Sequence, residues 1–183
     1  RTALFAADTS FATDSDQFLT QLPPLWHVTR AYLDDSGVDQ ARTTLLDTMD
    51  KGVALTSYVG HSGLTVWTFD GLFSTDDAKT LMNVGRPMVV TQWGCWNTYY
   101  VEPHYNTLAH HLLLSGNRGA AAVLGASTLT SVGAEKALAN RLMGSLVQSG
   151  QTLGMAVQLA KKELAAQQPK ARDVLLGWTL LGD

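Results

Sequence analysis

Val89-Val90-Thr91-Gln92-Trp93-Gly94-Cys95-Trp96 is a largely apolar run that stops on a glycine and then on the one cysteine of the chain. A short run of this kind bounded by a turn signal reads as a buried strand. Val53-Ala54-Leu55-Thr56-Ser57-Tyr58-Val59 has the same form, and it runs into Gly60-His61-Ser62-Gly63, so that the histidine precedes the cysteine by 34 residues. If the two strands are parallel neighbours, both side chains emerge at one sheet edge. A thiol beside an imidazole is the minimum equipment for nucleophilic catalysis, because the imidazole can draw off the thiol proton and later return it to a leaving group.

Outward from these two strands, the chain alternates strand and helix signals. Residues 2–7 are a short apolar run, and Asp8-Thr9-Ser10 offers N-cap chemistry before a helix over 15–22, where Phe18, Leu19 and Leu22 share a face. Pro23-Pro24 ends that helix, and 26–33 reads as a second strand. The turn 34–37 leads to a helix over 38–49 that Gly52 stops. Residues 64–73 read as a hairpin or loop at the sheet's edge, followed by a helix capped by Thr75 and closed by Gly85-Arg86-Pro87.

Beyond the cysteine strand the pattern predicts a polar, aromatic loop over 97–104, a helix over 105–115, a small-residue strand over 120–126 and a loop over 127–131. Two helices over 134–147 and 152–168 cover the sheet, and 175–182 reads as a last strand. This rhythm predicts an α/β fold, a mostly parallel sheet with helices on both faces. Its ligands belong beyond the carboxyl ends of the strands, where His61, Cys95 and Ser127 all fall.

Composition narrows the function. With 183 residues, 45% of them hydrophobic, the chain has the mass of one domain with a sizeable core. Its net charge is −3, and no cluster of Lys and Arg exists to hold a nucleic-acid backbone or an anionic membrane surface. No apolar run approaches the length of roughly 20 residues that a membrane span needs. A single cysteine rules out an internal disulfide. There is no phosphate-binding glycine loop. Gly60-His61-Ser62-Gly63-Leu64 also fails as a hydrolase nucleophile elbow, because the second glycine comes one place early.

The His-turn strand, the Cys-turn strand, the run Gly119-Ala120-Ala121-Ala122-Val123-Leu124-Gly125-Ala126-Ser127-Thr128 and the closing Thr179-Leu180-Leu181-Gly182-Asp183 stand in an order that resembles the gingipain-like cysteine peptidases, family C25 of the caspase-like clan. The resemblance implies a caspase-like three-layer sandwich and a single peptidase domain over 1–183, excised from a longer chain with flanking domains. It implies a cysteine endopeptidase with Cys95 as nucleophile, His61 as acid and base, and backbone N–H groups of Ser62 and Cys95 as the oxyanion hole. Asp8 is the nearest candidate for the acid that orients the histidine, with Asp14 and Asp16 as alternatives.

Trp96, Ser127 and Thr128 are the substrate-binding candidates, and the substrate is a peptide or protein. No cofactor is required, although calcium held by loop carboxylates is compatible with the family, as is an extracytoplasmic or secreted location. The sequence departs from the family at Ser62, where glycine is usual. There the backbone N–H is expected to matter and the side chain to be incidental.

Each of these residues also has a plainer reading. A lone cysteine on an apolar strand is commonly a packed small hydrophobe. Trp67, Trp93 and Trp96 can fill core space as easily as line a pocket, with Trp96 the one favoured for the pocket. His104, His110 and His111 cluster in sequence, but His110 and His111 point to different sides of a helix, which argues against a metal site. The rival function is a catalytically silent caspase-like domain that binds peptides or organises a larger protein. Exposure of Cys95 facing His61 across an open groove separates the two readings.

Overall fold

The computed structural model describes residues 1–102 and 104–182. Pro103, within the expected aromatic loop, and Asp183, the last residue of the closing run, lie outside the described residues. In chain order the elements are β1 (Thr2–Ala7), α1 (Ala12–Leu19), β2 (His27–Tyr32), α2 (Leu33–Lys51) and β3 (Leu55–Val59). The hairpin β4 (Val66–Trp67) and β5 (Phe73–Ser74) leads to α3 (Thr75–Thr80), β6 (Met88–Trp93), α4 (Leu108–Leu113) and β7 (Ala120–Ala126). The chain closes with α5 (Val132–Leu146), α6 (Leu153–Gln167), α7 (Arg172–Gly177) and β8 (Trp178–Gly182).

Six strands form one sheet in the order β2-β1-β3-β6-β7-β8. All neighbours run parallel except β8, which is antiparallel to β7. The strand pattern explains why both faces are covered. Along β1 the side chains alternate between two cores, Ala3, Phe5 and Ala7 facing one and Leu4 and Ala6 the other. The first core is closed by α1, α5, α6 and α7 through residues such as Phe18, Leu142, Leu164 and Val174. The second is closed by α2, α3 and α4 through Leu45, Ala78 and Leu112. Near-continuous apolar strands are what a sheet buried on both sides requires. The expected α/β sandwich is therefore present, with β3, β6 and β7 side by side. No helix among the described residues is long and apolar enough to cross a membrane.

Local expectations differ at element ends. Helix α1 starts at Ala12, with Phe11 at the N-cap position and no side-chain cap; Asp8 is spent elsewhere, as described below. The turn expected at 34–37 is absorbed into α2, which carries a kink where Gly37 adopts φ 73°. Ser74 rather than Thr75 caps α3. Its hydroxyl accepts from the Asp77 N–H while the Asp77 carboxylate accepts the Ser74 N–H at 2.8 Å, a reciprocal capping box. Helix α4 is shorter than its periodicity suggested, and the segment read as one closing strand is half helix (α7), half strand (β8).

Candidate active site

His61 and Cys95 follow adjacent parallel strands, β3 and β6, whose last residues Val59 and Trp93 are register partners. Asp8 follows β1, whose Ala7 pairs with Val59 on the other side of β3. Three neighbouring strands thus deliver three chemically capable side chains to one edge.

The histidine turn is held from beneath. The Asp8 carboxylate, 6% exposed, accepts the N–H of Thr9 at 2.8 Å and the N–H of His61 at 3.1 Å. Among the described residues its bonds go to the main chain and not to the imidazole. In this structure Asp8 fixes the backbone that carries the histidine. Asp14 and Asp16 are engaged elsewhere, with Lys136 and with Arg30 and Tyr32.

Gly60, at φ 148°, makes the approach to Asp8 possible, since a Cβ there would lie 2.2 Å from Asp8 Cβ. The Tyr58 hydroxyl donates to the His61 carbonyl oxygen and accepts the Thr68 N–H at 3.2 Å. Burial, reinforced by the charge of Asp8, raises the Tyr58 phenol well above its ordinary value, so it stays a donor. The imidazole itself packs edge-on against Phe11, with centroids 5.4 Å apart.

The cysteine turn is braced by Ser62 and Asn97. Ser62 Oγ donates to the Cys95 carbonyl oxygen at 2.8 Å and accepts Asn97 Nδ2 at 3.0 Å; Asn97 Nδ2 also lies 3.2 Å from the Gly94 carbonyl oxygen. The Ser62 side chain is therefore structural and not incidental. Its backbone φ is negative, since Ser10, Thr68 and Trp96 are the described non-glycine residues with positive φ, which removes the cost of having serine in place of glycine. A Cβ at Gly94 would stand 2.4 Å from both Ser62 Oγ and the Gly60 carbonyl oxygen, so the glycine before the cysteine lets the two turns touch.

The main-chain donors are also disposed for chemistry. Ser62 and Trp67 face each other in an isolated antiparallel bridge flanked by Gly63 N–H to Val66 O at 3.1 Å and Thr68 N–H to His61 O at 2.9 Å. That pattern leaves the Ser62 N–H outside the ladder. Neither it nor the Cys95 N–H has a protein acceptor among the described residues.

His61 and Cys95 line one cavity of about 380 Å³. Phe11, Phe69, Leu129 and Val132 supply apolar walls, and Thr130 and Glu135 supply polar ones. Cys95 is half-buried and His61 exposed. Trp96, at φ 63°, lines this cavity and a second one shared with Leu64, Tyr99 and Tyr105. Ser127 and Thr128 do not line the cavity. The Ser127 N–H and hydroxyl both bind the Gly177 carbonyl oxygen, at 2.8 and 3.0 Å, and the Thr128 side chain packs against Gly177. The next two residues of that loop, Leu129 and Thr130, line it.

Trp67 and Trp93 are fully buried. The Trp67 indole donates to Gln92 Oε1 at 2.6 Å, and Trp93 stacks on Trp178 at 5.7 Å. The described residues gather no group of three or more His, Cys, Asp or Glu side chains fit to hold a metal ion, and His104 pairs with Glu102.

Glu135 is the residue that sequence reasoning missed. It is 6% exposed, in the first turn of α5, and burial pushes its carboxyl up to about 8. Thr130 Oγ1 lies 3.1 Å from Glu135 Oε2 and 3.6 Å from Cys95 Sγ. The signal was available, because Glu135, Leu138 and Leu142 share one helical stripe, which puts a carboxyl on the buried face.

The family model of peptidase family C25 matches residues 1–183. Among solved structures, the chain is similar to the Arg-specific cysteine proteinase gingipain R, with a TM-score of 0.82 and 18% identity over 100% of this chain and 46% of that one. It is also similar to the complex of Porphyromonas gingivalis RgpB pro- and mature domains, at 0.78 and 20% over 100% and 47%. A structure described only as a protease matches at 0.78 and 15% over 100% and 47%. The chain thus spans less than half the length of these relatives. No curated protein matches it by sequence.

Proposed function

Because the chain belongs to peptidase family C25, we propose that it carries the catalytic centre of a cysteine endopeptidase acting on peptide or protein substrates. The observation that carries this reading is the emergence of His61 and Cys95 from adjacent parallel strands into one open cavity. In the proposed cycle His61 takes the thiol proton, and Cys95 Sγ attacks the scissile carbonyl carbon. The N–H groups of Ser62 and Cys95 receive the developing oxyanion, and neither has a competing protein acceptor among the described residues. His61 then gives its proton to the departing amine, leaving an acyl-enzyme that water hydrolyses with His61 as base.

Asp8 serves this chemistry by holding the His61 main chain, and Trp96 contributes a wall of the cleft. Side chains and backbone supply all the groups the cycle uses, without a cofactor. By analogy with the family, the protein works outside the cytoplasm, with further domains of a longer chain around it.

The test is cleavage of a peptide library by the native protein and by C95A, together with labelling by a peptidyl chloromethyl ketone. Turnover that C95A abolishes, with the label on Cys95 and slowed far more by H61A than by H110A, supports the proposal. Absence of both turnover and label in the native protein would favour a silent, peptide-binding domain.

A further inference from the structure

Beside the thiol, on the wall of the same cavity, stands a pair of side chains that the proposed cycle does not use. Thr130 Oγ1 lies within hydrogen-bond reach of both Cys95 Sγ, at 3.6 Å, and Glu135 Oε2, at 3.1 Å. A hydroxyl has one proton to give, so it cannot donate to both neighbours at once. We infer that Thr130 and Glu135 are positioning residues for Cys95, the charge on Glu135 deciding whether the Thr130 hydroxyl offers the sulfur its proton or its lone pair. The inference rests on the reading of Cys95 as nucleophile.

The two arrangements follow from donor counting. When the Glu135 carboxyl is protonated, its O–H donates to Thr130 Oγ1, and the Thr130 proton is free to point at the sulfur. A donor aimed at sulfur favours thiolate over thiol. When Glu135 is ionised it accepts the Thr130 proton. Only a lone pair then faces the sulfur, which favours the neutral thiol as donor.

Burial is the main influence keeping the carboxyl protonated toward neutral pH, opposed by the hydrogen bond from Thr130. Of the charges around it, Lys136 on α5 favours ionisation, while Asp14 on α1 and Asp173 on α7 oppose it. Two of these partly cancel, because Lys136 Nζ is 2.6 Å from Asp14 Oδ2. Asp173 is anchored to the Ser131 N–H at 2.6 Å, and Tyr58 on β3 is also electrostatically coupled to Glu135. The sulfur therefore faces a donor while Glu135 is neutral and a lone pair once Glu135 is charged.

The experiment is the rate of Cys95 alkylation by iodoacetamide, followed by mass spectrometry from about pH 6 to about pH 10, in the native protein, T130V, E135Q and the double variant. T130V is expected to slow alkylation near neutral pH roughly threefold to tenfold, the value of one hydrogen bond. E135Q is expected to match the native rate at the acidic end and to sharpen the native profile into a steeper one. In the T130V background E135Q is expected to change nothing.

Native-like alkylation by T130V, or an E135Q effect of equal size with and without Thr130, would overturn the inference. If T130V proves poorly folded, T130S decides, since it keeps the hydroxyl and must retain the native profile. Alkylation requires no turnover. Coupled labelling without peptide cleavage would thus remove the peptidase reading alone, and cleavage with uncoupled labelling would remove this inference alone.

Discussion

The Ser62 hydroxyl donates to the Cys95 carbonyl oxygen at 2.8 Å, tying the turn that presents the imidazole to the turn that presents the thiol. Its partner Asn97 is fully buried, so removing the hydroxyl takes the nearest acceptor, at 3.0 Å, from a buried amide that keeps the Gly94 and Gln92 carbonyl oxygens at 3.2 and 3.5 Å, and it also frees the cysteine carbonyl. S62A and S62G are both expected to lower turnover by roughly threefold to thirtyfold. S62P, which also loses the N–H, should cost about a hundredfold to a thousandfold. Turnover measured beside the unfolding midpoint checks this, and native turnover in S62G would show that the bond has no part in holding the site.

Asp8 accepts two main-chain N–H groups with its two carboxylate oxygens. In D8N one of those oxygens becomes an NH₂ group, which cannot accept and instead faces a donor. The expected result is a stability loss of about 1–3 kcal/mol and a fall in turnover as the His61 turn loosens. Urea unfolding and kcat report the two effects, and a D8N protein equal to native in both would rule out the anchoring role.

Glu135 gives a stability prediction of definite sign. Its folded carboxyl is raised above the ordinary glutamate value to about 8, so the folded protein holds a proton that the unfolded chain releases near pH 4.5. Its contribution is fully present below the unfolded value and is lost as pH rises toward 8. E135Q does not ionise, so its stability relative to native should increase across that window by roughly 3–5 kcal/mol. Thermal unfolding of both proteins at several pH values checks this, and a constant difference would overturn it.

Asp77 behaves in the opposite sense. Burial alone raises its carboxyl, but hydrogen bonds from Arg42 and Ser74 outweigh that and hold it below the ordinary value. Its contribution is present above the ordinary carboxylate value and disappears as pH falls through the lowered one. D77N should cost about 1–3 kcal/mol at neutral pH by removing the charge that Arg42 and Ser74 bind, and the gap to native should close below about pH 4. Denaturant midpoints at neutral and acid pH read this out.

The strand framework was legible because strands buried on both faces leave little ambiguity in an apolar run, and because Gly60 and Gly94 mark where those strands stop. His61, Cys95 and Trp96 were legible for the same reason, as each follows a strand end. What was not legible depended on neighbours distant in sequence. The N-cap role suggested for Asp8 by its position before a helix lost to two N–H groups, one of them on a loop 53 residues away. Ser127 and Thr128 were drawn off by Gly177, on a helix that the apolar pattern of 175–182 had disguised as strand. The Ser62 hydroxyl found its acceptor across two turns, a pairing that a comparison with glycine gives no means to anticipate.

The order β2-β1-β3-β6-β7-β8 makes β3 and β6 the innermost strands of the sheet. Local opening in proteins begins where few contacts hold a segment, at termini and edges, and reaches central strands last. His61 and Cys95 grow from the ends of the pair best protected from such fraying. Amide protons of β3 and β6 should then exchange among the slowest in the molecule, at rates set by global unfolding. The juxtaposition of imidazole and thiol would persist while β2 or β8 detaches, so partial melting of the edges and loss of the centre should be separable events on heating.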